Sequence, residues 1–409
     1  MRFLGIDAIF HDPAATWCPR AQAAVNGRMP GAVLCGTTPR RRMRTVPRAS
    51  TRRAAVRAAS HRGRDDRGRV LVARLDGAGD VLLAGPAVRA VRTLARELVF
   101  LAGPGGSAAA ELLPGVDRVI EWRAPWIDLA PPPVTKGQAA DLVGRLSGVD
   151  EAVILTSFHQ SALPLALLLR LAGVRRIAAI SNDYPGSLLD VRHVVDESVD
   201  VPEAERMLGV ARAAGFELPK GDDGKLAVQR PLPDIAGNLG HLLGAGADAG
   251  SKGTYVVVHP GASAPARTWP AERHRRTVRE LVQDGHRVVV TGNERDLTAY
   301  VAGDVAVDLG GVTTFAELAA VIDGACVLVA GNTGPAHLAA AVGTPVVSLF
   351  APVVPAARWA PYGVPTVLLG DQEAPCRASR ARACPVPGHP CLSHVTSEQV
   401  VKAVRELTQ

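Results

Sequence analysis

Residues 69–92 read RVLVARLDGAGDVLLAGPAVRAVR. An apolar run, VLVARL, breaks at DGAGD and resumes as an alanine- and valine-rich helical pattern. The period changes from that of a buried strand to that of a helix within a few residues, so the stretch reads as strand, tight turn, helix. The turn carries two aspartates, Asp76 and Asp80. A buried carboxylate is costly unless it is paired or has work to do. The glycines permit a sharp turn, but their spacing is not GxGxxG, so this is no dinucleotide fingerprint. Asp80 falls in the first turn of the helix, where the dipole favours the ionised form. Facing a cleft, it can act as a general base. As a plain helix cap, it would fill the commoner role of Asp at such a place.

The same alternation continues outward. Strands are expected at VLVARL (70–75), ELVFLA (97–102), VDRVIEW (116–122), EAVILTS (151–157) and RRIAAIS (175–181), with helix-like segments between them. The pattern restarts at YVVVHP (255–260), RVVVTG (287–292), VAVDLGG (305–311), CVLVAG (326–331) and VVSLFAP (346–352). Strands that alternate with helices imply parallel sheets covered on both faces. The fold class is therefore α/β, with two Rossmann-like domains facing a central cleft. The expected divisions are an extension at 1–67, a first domain at 68–218, a Gly-, Pro- and Asp-rich linker at 219–252, and a second domain at 253–409. Ligands of such sheets sit beyond the carboxyl ends of the strands. The site is thus expected between the halves.

The chain has 409 residues, 47% of them hydrophobic and only 4% aromatic, so its cores must rest on Ala, Val and Leu. The longest apolar candidate, LPLALLLRLAG, is interrupted by Arg170 and is far short of the ~20 residues of a membrane span. The opening, MRFLGIDAIFHDP, has no secretory-signal pattern. A cytoplasmic protein is the expectation. The net charge of +7 is unevenly placed: residues 1–67 hold fourteen Arg against four acids, and the rest is slightly acidic. The basic balance belongs to that segment, which reads as a solvated, disordered tail, and nucleic acid is not an expected partner.

Two stretches of the second half add chemistry. VAGNTGPAHLAAAVGTPVVSLF (329–350) is strand, turn, helix and strand. Asn332, Thr333 and Gly334 form the turn, and the first helical amides beyond it are free to bind an anion. Thr333 can add a hydroxyl, and His337 lies one turn in. HPGASAPARTWP (259–270) follows another strand end and offers Ser263 and the fixed charge of Arg267, which suits a diphosphate.

From about Val70 onward the chain resembles glycosyltransferase family 9, the heptosyltransferases of lipopolysaccharide synthesis and their relatives. The resemblance rests on RLDGAGDVLLAGPAVRAVR, VVVHPGASAPARTWPAERH, VVVTGNERD, DLGGVTTFAELAAVIDGACVLVAGNTGPAHLAAAVGTPVVSLFAP and RWAPYG, in that order. It implies a GT-B fold, with the first domain binding the acceptor and the second the donor. It also implies inverting, metal-independent transfer from a nucleotide sugar, usually ADP-heptose, with no cofactor. Carried over by residue, Asp80 is the general base. Ser263, Arg267, Asn332, Thr333, Gly334 and His337 hold the donor; Asn332 stands where many members have Asp. Asp76 orders the turn or touches the acceptor. Abundant Ala, Arg and Gly suit a high-GC bacterial source, so the acceptor classes left open are a glycan, a glycolipid and a metabolite. A lipid acceptor would bring peripheral membrane contact. A GT-B sugar-nucleotide epimerase and a non-catalytic nucleotide-sugar-binding relic are the alternatives.

Within the first domain, SNDYPGSLLDVRHVVD (181–196) supplies Asp183, Tyr184 and Arg192 as candidate acceptor contacts. Near the end, Cys376, Cys384, Cys391, His389 and His394 cluster in sequence without a CxxC pair. That spacing favours free thiols or a local structural role over zinc. TSEQVVKAVRELT (396–408) reads as a capped amphipathic helix. Residues 1–15 resemble the start of NodU-type carbamoyltransferases, with His11 and Asp12 where that family has a functional pair. Nothing else of that site follows.

Overall fold

In the computed structural model the first strand, β1 (Arg69–Arg74), has Val70 to Ala73 buried on both faces. That is what a near-continuous apolar run in a parallel sheet requires. The structure describes residues 66–409 apart from 129, 236–239, 241–252 and 254. The tail expected over 1–67 and the opening with His11 and Asp12 lie, up to residue 65, outside the described residues. Arg67 is described, and it donates to Glu151 and to the Ala214 carbonyl at 3.0–3.2 Å.

After β1 come α1 (Ala78–Leu83), α2 (Gly85–Arg92), β2 (Glu97–Ala102), α3 (Ser107–Ala110), β3 (Arg118–Glu121), α4 (Lys136–Arg145), β4 (Glu151–Ile154), α5 (Leu163–Leu171), β5 (Arg176–Ile180), β6 (Val191–His193) and α6 (Glu203–Ala213). The strands make one parallel sheet of order β3-β2-β1-β4-β5-β6. The second half follows with β7 (Tyr255–His259), α7 (Ala271–Gln283), β8 (Val288–Val290), α8 (Arg295–Ala302), β9 (Val307–Asp308), α9 (Phe315–Asp323), β10 (Ala325–Gly331), α10 (Gly334–Val342) and β11 (Val346–Leu349). It closes with α11 (Ala356–Trp359), β12 (Thr366–Leu369), α12 (Pro390–Ser393) and α13 (Ser397–Thr408). Its sheet is also parallel, with order β12-β11-β10-β7-β8-β9.

The two orders are the same pattern traced twice. Each half begins at a central strand, winds outward, then returns to the other side of that strand. The reversal leaves a topological switch point between β1 and β4 and another between β7 and β10, where such folds bind ligands. Two strands were not among those expected from sequence. Both β6 and β12 are short, half-exposed edges, so neither carries the continuous apolar run that marks a central strand. The stretch read only for acceptor contacts thus contains β6 as well.

Local signals set the helix ends. Thr314 and Glu317 close a capping box before α9, and Thr396 with Gln399 closes another before α13. Pro335 sits in the first turn of α10, and Gly343, at φ +87°, ends it in the left-handed region. One apolar cluster runs from Val81, Leu82 and Ala110 in the first half to Leu318, Ala320 and Leu338 in the second. The halves therefore pack on a shared core as well as facing a cleft. No helix among the described residues is long and apolar enough to cross a membrane.

Candidate active site

The two switch points meet at Gly79. A Cβ built on Gly79 would lie 2.7 Å from His337 Cδ2, and one built on Gly334 would lie 3.5 Å from the Gly79 nitrogen. The DGAGD turn at the end of β1 therefore rests on the first turn of α10, which follows β10. Asp80 and the Thr333–Gly334 turn are brought together although one half of the chain separates them.

Burial at this seam holds the His337 imidazole neutral, pushing its pKa down to about 4; the nearby Asp80 opposes that shift and Arg267 adds to it. His337 Nδ1 has no hydrogen-bond partner, nor has the buried Asn332 Nδ2. Thr333 occupies the N-cap position, and its hydroxyl donates to the Gly331 carbonyl at 3.3 Å. Arg267 Nε is buried and unpartnered. Burial lowers the pKa of the Arg267 guanidinium; the Arg382 charge adds to this and Asp80 opposes it. The Asn332 amide and Arg267 Nε are thus unsatisfied donors, and Asn332 and His337 flank the start of α10. Buried polar atoms normally find partners, and together these would suit an anion. Ser263 is exposed, and its carbonyl accepts from Arg382 at 3.1 Å.

On the facing side Asp76 and Asp80 share one cation. Arg74, fully buried at the end of β1, places Nη2 2.8 Å from Asp80 Oδ1 and Nε 2.9 Å from Asp76 Oδ2. Nη2 also donates to Ser157 Oγ at 2.7 Å, and Gln160 donates to Asp76 Oδ1. Burial pushes the Asp76 carboxyl above the usual carboxylate range; the Asp80 charge adds to this, while Arg74 and Gln160 oppose it. Phe158, His159, Gln160, Ser181, Asp183 and Arg206 line a polar cavity of about 200 Å³ in this half. Burial lowers the His159 pKa, and the Arg380 and Arg74 charges lower it further.

The comparisons with known proteins agree on a family. A model described as glycosyltransferase family 9 (heptosyltransferase) matches residues 152–389. The chain belongs to glycosyltransferase family 9. It is 37% identical over 110 residues to lipopolysaccharide heptosyltransferase 3 of Escherichia coli K12, a match covering 25% of this chain and 32% of that protein. It is 27% identical over 345 residues to lipopolysaccharide heptosyltransferase 1 of Pseudomonas aeruginosa, covering 77% and 87%. The two Escherichia coli curated relatives are matched over only about a third and about a half of their length. Among solved structures, a family 9 glycosyl transferase from Veillonella parvula superposes with TM-score 0.66 at 17% identity, covering 84% and 98% of the two chains. The ADP-heptose lps heptosyltransferase II of Escherichia coli gives 0.63 at 17%, covering 83% and 98%. Its heptosyltransferase WaaC, with ADP-2-deoxy-2-fluoro heptose, gives 0.59 at 20%, covering 83% and 99%. The shared architecture is GT-B.

In this family 9 chain, the structure groups Asp76, Asp80, Arg267, Asn332, Thr333, Gly334 and His337 at one seam. The acceptor-side candidates are placed elsewhere. Asp183 lines the cavity. Tyr184 is 87% exposed. Arg192 donates to the Ser181 and Asn182 carbonyls at 2.9 and 2.8 Å, shaping the loop that carries Asp183. Arg74, Ser157, His159 and Gln160 were not expected. A basic residue closing an apolar run, as Arg74 does in VLVARL, was the available signal. Four cysteines, Cys326, Cys376, Cys384 and Cys391, are free. Burial pushes the Cys391 thiol up to about 12, with Cys376 and Cys384 adding to the shift. His389 spends Nε2 on the Ala266 carbonyl at 3.0 Å. No group of three or more His, Cys, Asp or Glu is arranged to hold a metal among the described residues.

Proposed function

We propose that the protein is an inverting, metal-independent glycosyltransferase that moves a heptose or related sugar from a nucleotide donor, ADP-heptose first, to a hydroxyl of a glycan, glycolipid or metabolite. The observation that carries the reading is the close approach of Gly79 to His337, which supports a base at Asp80 working beside a donor diphosphate at the start of α10. The names of the relatives, and the donor analogue bound by WaaC, favour ADP-heptose.

In the proposed reaction the acceptor hydroxyl gives its proton to Asp80. Its oxygen forms a bond to the anomeric carbon from the face opposite the diphosphate. The bond from that carbon to the diphosphate oxygen breaks, and its electron pair leaves with the nucleoside diphosphate. Arg267, the Asn332 amide, Thr333 and the first amides of α10 stabilise the charge that develops there. Neutral His337 can donate a hydrogen bond to it without adding charge. Ser263 borders the donor, while Asp183, Tyr184 and Arg192 border the acceptor side.

Calorimetry on the full chain with ADP-heptose, UDP-sugars and GDP-sugars tests the donor. Selective ADP-heptose binding is expected, and binding of a different nucleotide sugar alone would move the substrate, with Asn332 the first residue to examine. Asp80→Asn should bind donor within about threefold of wild type and lose about 100-fold or more in turnover. Full activity in that variant would remove Asp80 as the base. Conversion of the donor to an isomer with no acceptor present would replace transfer with epimerisation.

A further inference from the structure

We infer that Arg74 is a positioning residue for the Asp80 carboxylate, with Asp76 as the counter-ion that keeps its charge balanced during turnover. This rests on the reading of Asp80 as the base. Positions 70–73 of β1 are apolar and buried, and Arg74 continues that run with a guanidinium that is 0% exposed. Burying a cation costs several kcal/mol unless its partners restore what water supplied. A buried arginine at a strand end beside a cleft therefore needs an account.

Its partners give one. The Nη2 nitrogen is shared between Ser157 Oγ at 2.7 Å and Asp80 Oδ1 at 2.8 Å. Ser157 lies just past β4, on the other flank of the switch point, so the guanidinium is gripped from both central strands. Asp80 is held through Oδ1 only, and its Oδ2 has no donor among the described residues. One oxygen is thus anchored and the other is left for the acceptor proton. A flexible carboxylate would have to find this orientation in every turnover, and a misplacement of about 1 Å at a reacting group costs about 100-fold in rate.

Asp76 then explains the second carboxylate of the turn. When Asp80 takes the proton it becomes neutral, and Arg74 loses one of its two paired anions. The guanidinium is sealed from water, so no solvent can compensate. Asp76 Oδ2 remains 2.9 Å from Nε. This contact is off the line of a hydrogen bond, so it acts as charge against charge, while Gln160 fixes the same carboxylate through Oδ1. Arg74 therefore keeps an anionic partner in both protonation states of Asp80, and the Arg74–Asp76 pair is neutral once Asp80 is protonated.

The test compares Arg74→Met, Arg74→Lys, Asp76→Asn and Asp80→Asn in the full chain. ADP release from ADP-heptose is measured with heptose-free lipopolysaccharide core as acceptor, beside donor affinity by calorimetry and a crystal structure of Arg74→Met. Expected is a kcat about 100-fold lower in Arg74→Met, with donor affinity and KM within about threefold. Arg74→Lys should recover part of the loss, because an ammonium keeps the charge but not the fork. Asp76→Asn should lower kcat rather than raise KM. An inactive Asp80→Asn beside a near-wild-type Arg74→Met would overturn the inference and leave the base standing. An active Asp80→Asn would instead overturn the base. If wild type releases no ADP, calorimetry tells a wrong donor from a wrong acceptor, and the crystal structure decides the inference: an Asp80 carboxylate unmoved in Arg74→Met refutes the positioning role.

Discussion

Two glycines two residues apart behave oppositely in DGAGD. Gly77 precedes α1 with φ −77° and ψ 174°, and a Cβ there would meet nothing within 4 Å. Gly79 faces the His337 ring at a distance that no side chain can share. Gly77→Ala should therefore leave donor affinity and turnover within about twofold of wild type. Gly79→Ala must displace either the imidazole or the turn, and it should cost about 100-fold in kcat by shifting the base against the donor. Steady-state kinetics on the pair checks this, and equal effects would mean that the seam does not set the geometry. The turn itself was legible in the sequence because aspartates interrupt an apolar run. Its partner was not, because His337 sits in a separate half and no local period encodes that contact. Arg74 was missed for a related reason: a single basic residue at a strand end reads as a surface residue until its neighbours are known.

At the scale of elements, central strands and capped helices were legible, and edges were not. β2 falls at the expected 97–102 because both its faces are buried. Strand β6, VRH, has too little apolar content to register as a period. In the loop between β12 and α12 the sequence points to thiols and histidines, but the backbone is the more unusual feature. Ala378 and Arg380 both take φ +57°, held by amides that donate to the Pro352 and Val353 carbonyls at 2.8 and 2.7 Å. This sets the Arg380 guanidinium 5.4 Å from the Phe158 ring of the other half. A non-glycine residue in that region costs about 1–2 kcal/mol, and glycine loses part of the gain through unfolded-chain entropy. Ala378→Gly should thus stabilise the protein by about 0.5–1 kcal/mol in urea unfolding, without changing donor affinity. A lower midpoint would show that the alanine is not strained.

Across the whole molecule, buried charge and buried neutral histidines set the response to pH and hold the halves together. Burial keeps His259 and His337 neutral to about pH 4 and His274 to about pH 3, and the His259 charge adds to the shift at His274. Unfolded histidine takes up its proton near pH 6.5, so unfolding binds protons between these values. Stability is therefore full above about pH 6.5 and falls as pH drops toward 4. The raised carboxyls of Asp76 and Glu203 act in the opposite sense, so the comparison must hold them fixed. His274→Gln does so: its melting temperature should fall less between pH 7 and pH 5 than that of wild type. The halves are joined by Arg358, 3% exposed on α11, which reaches Asp200 at 2.6 Å and Glu197 at 3.0 Å in the first half. It also stands 3.6 Å from Glu203, whose carboxylate is fully buried and takes no hydrogen bond. Replacing a whole buried ion cluster by apolar groups can be neutral, but removing one member leaves the others uncompensated. Arg358→Met keeps the volume and removes the cation, so it should cost about 3 kcal/mol in urea unfolding. The apolar cluster shared by both halves remains in that variant, so the protein should stay folded with its seam loosened. Small-angle scattering should then show a larger radius of gyration that ADP-heptose reduces, whereas an unchanged radius and midpoint would place the coupling of the halves in the apolar core alone.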